Sequence, residues 1–196
     1  YLMSANEADG TRIVQCLNRA NGQEVWRRSF PSTTHPKHAF NRYATATPPV
    51  DGKRIYLSWA TPDAYLVIAL DRRTGEELWR RNLGPFVAEH GFGASPIVVD
   101  DLLIVPNDQD GPSSVVALDA RNGQVRWQLD RRTRKTAYST PCLYQPVEGP
   151  PQVILTSWAH GITSLELRTG KLHWELPVFQ HRTVSSPIVV GGLIFA

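Results

Sequence analysis

Cysteine is scarce in this 196-residue sequence, with only Cys16 and Cys142, far apart in the chain. That excludes a CxxC metal pair and a dense disulfide framework, and reads as two buried thiols. No run reaches the ~18 apolar residues of a membrane-spanning helix. Neither sign of charge dominates: 17 Arg and 4 Lys face 18 acidic residues, a net +3, too mild and too scattered to call for nucleic acid or a membrane surface. The paired arginines Arg27-Arg28, Arg72-Arg73 and Arg80-Arg81 read as solvated strand and turn positions. No Asn-x-Ser/Thr sequon occurs. The opening Tyr1-Leu2-Met3-Ser4 carries no charged-then-apolar leader, which leaves the compartment open. What is present, 41% hydrophobic and 20% charged residues, is the composition of a folded domain.

Catalytic and cofactor signatures are missing as well. His35-Pro36-Lys37-His38 is not the HExxH of a zinc protease and lies among prolines that forbid a helix, and neither it nor His90 suggests a metal site. Gly91-Phe92-Gly93 leads into Ser95-Pro96 and a strand, not the helix N-terminus that cradles a dinucleotide. The stretch from Asn107 to Gly111 is rich in oxygen ligands, but Leu118 stands where a calcium loop needs its twelfth-position glutamate. There is no GxSxG elbow and no phosphate loop.

Repetition is what the sequence has in quantity. Gly22, Gly75, Gly123 and Gly170 are each followed four residues later by a tryptophan, Trp26, Trp79, Trp127 and Trp174. A second landmark, Thr47-Pro48, Ser95-Pro96, Thr140-Pro141 and Ser186-Pro187, recurs every 48, 45 and 46 residues. Between the landmarks lie short β-branched or aromatic runs cut by Gly, Asp and Pro, without sustained helical periodicity. In the second copy the runs predict strand A at 48–50, B at 54–59, C at 65–71 and D at 77–81, with Asp51-Gly52 and Thr74-Gly75 as hairpin turns. Four-stranded antiparallel sheets at a period in the forties predict an all-β chain of β-propeller blades, at approximately 1–30, 44–83, 92–130 and 137–178, with a partial copy at 183–196. Gly75 supplies the positive φ of a bulged hairpin, Asp71 offers its carboxylate to loop amides, and Trp79 presents a flat surface to a neighbouring sheet.

The phrase Ala69-Leu70-Asp71-Arg72-Arg73-Thr74-Gly75 with Trp79 resembles the tryptophan-docking motif of the pyrroloquinoline-quinone-like (PQQ-like) β-propellers, Ala-x-Asp-x-x-Thr-Gly-x-x-x-Trp. Ala117, Asp119, Gly123 and Trp127 match it with Asn122 in the threonine position. The outer copies are looser: Cys16 and Asn18, then Ser164 and Glu166, replace Ala and Asp. The resemblance implies rings of seven or eight blades, so a chain of about four blades that starts and stops inside a blade reads as part of a larger ring. Its exposed blade faces would favour self-association of the isolated segment.

Within that architecture the loops from D to the next A would gather at a channel mouth. Six residues before each landmark proline stand Arg42, His90, Lys135 and His181, with Arg134 and Arg182 beside two of them, a candidate basic ring for an anion or an acidic partner. The B-to-C loops add Trp59, Trp158, Asp108 and His160 as candidate rim contacts of protein-binding composition. The resemblance implies a non-catalytic scaffold for protein-protein interaction in the bacterial periplasm or cell envelope, similar to the lipoprotein scaffold of the outer-membrane barrel-assembly machinery. No cofactor, metal or nucleic acid is expected, and the protein partner is unspecified. Two alternatives stay open: a fragment of a PQQ-dependent quinoprotein dehydrogenase, which would use the quinone and calcium, and a small-anion binding module. No adjacent cysteine pair or active-site motif places a catalytic residue.

Overall fold

The computed structural model describes residues 1–132 and 135–196, and every regular element among them is a β-strand. The chain divides into two compact units, Tyr1–Gly93 and Ala94–Ala196. The first holds two three-stranded sheets, β1 (Leu2–Ala5), β2 (Arg12–Leu17) and β3 (Glu24–Phe30), then β4 (Arg54–Thr61), β5 (Ala64–Asp71) and β6 (Glu77–Asn82). The second holds two four-stranded sheets and a hairpin: β7 (Ile97–Val99), β8 (Leu102–Asn107), β9 (Ser113–Asp119) and β10 (Val125–Arg131); β11 (Cys142–Tyr144), β12 (Gln152–Ser157), β13 (Gly161–Glu166) and β14 (Leu172–Leu176); and β15 (Ile188–Val190) with β16 (Leu193–Phe195). Each strand pairs antiparallel with its sequence neighbour, so the sheets are meanders built from local hairpins.

In the second sheet strand A differs from expectation. Val50 makes one isolated bridge to Ile55, and Tyr56 N donates to Pro49 O at 3.0 Å. Pro48 and Pro49 have no N–H to give a ladder, which reduces the strand to that contact. Strands B, C and D stand where the hydrophobic runs put them, each with ends shifted by no more than two residues.

The tight turn before each outer strand has one recipe. Asp71 N donates to Glu76 O and Gly75 N to Asp71 O, both at 2.8 Å, while the Asp71 carboxylate accepts from the amides of Arg73 and Thr74 at 2.9 and 2.8 Å. Gly75 has φ +72°, a left-handed conformation that side chains resist. Asn18 replaces the aspartate in the first sheet and accepts from Ala20 N at 2.8 Å in the same way. A register shift follows the turn in all four cases, the extra residue of a β-bulge.

Central strands are covered on both faces, and Ser113–Asp119 is buried at every position, its polar ends Ser113, Ser114 and Asp119 included. Among the outer strands Val125–Arg131 alternates, burying Trp127 and Arg131 with Leu129 half-buried between them, whereas Leu172–Leu176 is exposed at every position. In the second unit Leu102, Ile104, Val115 and Ala117 of one sheet meet Val153, Leu155 and Leu165 of the next, with Trp127 among them. That is sheet-on-sheet burial of the kind that stabilises stacked repeats.

Candidate functional site

In the first unit residues 31–49 form an ordered irregular loop. Pro31, Pro36, Pro48 and Pro49 keep it out of a ladder, and side chains take over the work of tying it down. Tyr43 staples it by accepting from His35 N at 3.0 Å and donating its hydroxyl to His35 O at 2.8 Å. Asn41 Nδ2 donates to the carbonyls of His90 and Phe92 at 2.6 and 3.2 Å, and Thr45 Oγ1 donates to Phe92 O at 2.7 Å. The His38 and His90 rings lie 4.8 Å apart. Arg42 is exposed, its Nη1 bonded to the carbonyls of Ala39 and Asn41, and Phe40 beside it stands 92% exposed. Arg42 and His90 are therefore brought onto two strapped loops of one unit.

Beneath this loop Arg12 is fully buried, with its guanidinium 4.9 Å from the Tyr43 ring centroid. Lys37 Nζ lies 4.8 Å from the same centroid and pairs with Glu7 at 3.1 Å. Burial pulls the His35 pKa below its ordinary value, and Arg12 and Lys37 push it the same way. Next to them opens a cleft of about 260 Å³ walled by Pro36, Pro62, Phe86, Val87 and Phe92.

The second unit contains a buried charge network. Arg131 Nε donates to Asp108 Oδ1 at 2.9 Å with both side chains almost wholly buried, and Arg131 Nη2 donates to Ser157 Oγ at 2.9 Å. Ser157 Oγ also accepts from His160 N at 3.2 Å, and His160 Nδ1 meets Glu175 Oε2 at 2.9 Å. Burial pushes the Asp108 carboxyl up while Arg131 pulls it back down. His160, Glu175, Trp158, Arg132 and Phe179 line a cleft of about 480 Å³.

The remaining candidates distribute unevenly. Lys135 is half-buried, His181 is exposed, and Arg182 lies 5.8 Å from the Tyr138 ring centroid; Arg134 lies outside the described residues. Asp108 and His160 come together through Arg131 and Ser157, but Asp108 is spent on an internal ion pair. Trp59 is 1% exposed against Phe30, 5.6 Å between centroids, so it packs inward and offers no rim surface, because β4 is covered on both faces. Trp158 is half-buried at the second unit's cleft.

Of the turn residues, Gly75 lies against the Trp26 ring and Gly170 against the Trp127 ring, so close that a Cβ on either would sit within 2.7 Å of the indole. Trp26 Nε1 donates to Arg72 O at 3.2 Å, and Arg28, read as solvated, donates to the carbonyls of Gly75 and Thr74 at 3.0 and 2.7 Å. Asp119 accepts from Arg121 and Arg126, both at 2.9 Å. Gly22 and Gly123 take the same positive φ as Gly75, Trp79 is 9% exposed with Tyr56 at 6.0 Å, and Trp174 is 39% exposed.

Arg12, Tyr43, Arg131, Ser157 and Glu175 are site residues that the sequence reading passed over. The signal for the arginines was their phase: Arg12 shares a strand face with buried Val14, and Arg131 shares one with Trp127.

Comparison with known proteins bears on what these sites belong to. The chain is 24% identical over 193 residues to tetrathionate hydrolase of Acidithiobacillus ferrooxidans, covering 93% of this chain and 36% of that protein. It is 25% identical over 190 residues to the outer membrane protein assembly factor BamB of Shewanella oneidensis, covering 96% of this chain and 42% of that one. The chain thus spans well under half the length of these curated relatives. Among solved structures, BamB from Moraxella catarrhalis superposes with a TM-score of 0.62 at 17% identity, over 97% of this chain and 55% of that one. Quinohemoprotein alcohol dehydrogenase from Comamonas testosteroni gives 0.59 at 15% identity, over 95% and 36%. Those likenesses show the fold, a β-propeller assembled from antiparallel meanders with PQQ-like repeats. The sequence model of one family matches residues 10–196, nearly the whole chain, and on that match the chain belongs to the family described as outer membrane protein assembly factor BamB.

Proposed function

We propose that this chain is part of a non-catalytic propeller scaffold of the bacterial cell envelope and that its first unit contacts another protein through the loop of residues 31–49. One observation carries the reading: Phe40 is 92% exposed beside exposed Arg42, on a loop held by Asn41, Tyr43 and Thr45. A large apolar ring held in water by a rigid frame loses little conformational freedom when a partner covers it, and aromatic side chains with arginine are the groups that dominate protein contacts. Membership of the BamB family supports the envelope as the compartment and outer-membrane protein assembly as the setting.

The test replaces Phe40 with a photo-crosslinking amino acid in the full-length protein in its own cells, alongside Phe40→Ala with Arg42→Glu in a deletion strain. Crosslinks to one envelope protein, together with reduced folded outer-membrane protein in the double variant, are expected. Unchanged outer-membrane protein levels with no discrete crosslink would overturn the reading.

A further inference from the structure

Arg12 is the anomaly of the first unit. It is 0% exposed, yet no carboxylate lies within ion-pair distance of it among the described residues. Its guanidinium makes one hydrogen bond, from Nη1 to Gly10 O, and Nε has no partner. A buried cation is normally paired, because losing its hydration costs several kcal/mol. The Tyr43 ring face supplies part of the compensation, but Lys37 shares that ring.

Beside Arg12 lies a recess with the composition of an anion site. Arg12 lines a small recess together with His35, Lys37, Arg42 and Tyr43, a wall with three cations, while Glu7, the nearby acid, is taken up by Lys37. His35 Nδ1 is a second buried nitrogen without a hydrogen-bond partner. The recess has room for about 10 Å³, one water-sized group. It shares His35, Ala60, Gly91 and Phe92 with the 260 Å³ cleft, whose remaining walls are Pro36, Pro62, Phe86 and Val87 with little polar surface. A polar notch for one oxygen thus adjoins an apolar chamber somewhat smaller than the sites that take drug-sized molecules.

We propose that the first unit binds a small monocarboxylate with a compact apolar or aromatic body, one carboxylate oxygen entering the recess toward Arg12 and His35 and the body lying against Phe86 and Phe92. A carboxylate can set one oxygen against a guanidinium N–H while its body stays in the chamber, and it adds the direct ion pair that the fold omits. An inorganic anion satisfies the recess alone and leaves the chamber unfilled; a neutral aromatic does the reverse. The site shares Arg42 with the exposed Phe40 surface, but its ligand contacts are Arg12, His35, Phe86 and Phe92, and it stands whether or not Phe40 binds a protein.

The experiment is calorimetric titration of the full chain with 3-phenylpropanoate, its neutral amide and acetate. Saturable binding of 3-phenylpropanoate is expected, with the amide and acetate each at least tenfold weaker. Arg12→Lys, which keeps the charge and loses the fork, is expected to weaken binding about tenfold, a difference of 1.4 kcal/mol. Because a change at a buried arginine can disturb folding, Val87→Trp serves as the second variant: the position is 53% exposed and the larger ring fills the chamber. Its melting temperature is expected to stay unchanged while 3-phenylpropanoate binding is lost. Equal affinity for acid and amide, no saturable binding, or unaltered affinity in Val87→Trp would each sink the proposal.

Discussion

The indole Nε1–H of Trp127 donates to the backbone carbonyl of Leu167 at 2.9 Å, tying the outer strand of one sheet to the turn that follows β13 in the next. Gly170 closes the other side, its Cα so near the ring that a Cβ would come within 2.5 Å of Cε3. Trp26, Arg72 and Gly75 repeat the relationship in the first unit. One indole hydrogen bond and one large apolar face thus act at each of these contacts, beside the guanidinium bonds of Arg28 and Arg131 that also cross from one sheet to the next.

Trp127→Ala should cost the second unit about 3–5 kcal/mol, as expected for a deleted core aromatic. Gly170→Ala combines a left-handed φ of +71° with the clash against the indole, whereas Gly22→Ala meets a similar φ of +73° and open space. The first should lose about 1–3 kcal/mol more than the second. Urea unfolding midpoints at unchanged slope measure the difference, and equal losses would mean the close approach adds nothing.

Arg131→Met leaves Asp108 charged and buried without its partner, so a loss of about 3–5 kcal/mol is expected. Joining it to Asp108→Leu removes the stranded charge as well, and most of the stability should return. A double-mutant cycle by chemical denaturation reads the coupling. If the double variant is as unstable as the single one, the cost lies in Ser157 and His160 instead of in the unpaired carboxylate.

Acid should unsettle the second unit through Asp119. The Arg121 hydrogen bond outweighs the effect of burial and, with further help from Arg126, holds the carboxyl at about 2, against 3.8 for an unperturbed aspartate. A folded pKa below the unfolded one stabilises above pH 3.8, and that contribution is lost as the pH falls toward 2. Since Arg121 and Arg126 are 64% and 45% exposed, screening leaves roughly 1 kcal/mol of it. Asp119→Asn should therefore be less stable than wild type at pH 6 and nearly equal to it at pH 2 in matched thermal scans. Asp108 shifts in the opposite direction but is present in both proteins, so it cancels in the comparison.

Phe40→Ala should leave the unfolding midpoint within about 0.5 kcal/mol of wild type, because its side chain is 92% exposed. Any defect of that variant in outer-membrane protein assembly then reports a lost contact and not a lost fold. A melting temperature lowered by several degrees would show that the ring packs in solution.

The meander architecture was legible because its determinants are local. Thr74-Gly75 closes a hairpin whose bonds span a few residues, and the same turn returns with Asn18 in place of aspartate, since an amide oxygen accepts the loop N–H as a carboxylate does. Strand A of the second sheet was misread where Pro48-Pro49 removed two donors from an apolar run. Trp59 was misplaced at a rim because its position after a serine says nothing of which faces of β4 are covered.

By itself the sequence determined the all-β class, the period of the turns and the hairpin order, since glycine φ, aspartate-to-amide bonds and β-branched runs act over neighbouring residues. Only the tertiary structure decided that Arg12 and Arg131 lie inside, that Arg28 caps a turn of the next sheet, and that residues 31–49 are held as a frame around Tyr43. Those outcomes draw on partners 23, 46 and 49 residues away along the chain, and whether a charge is tolerated in the interior is settled by which groups meet it there.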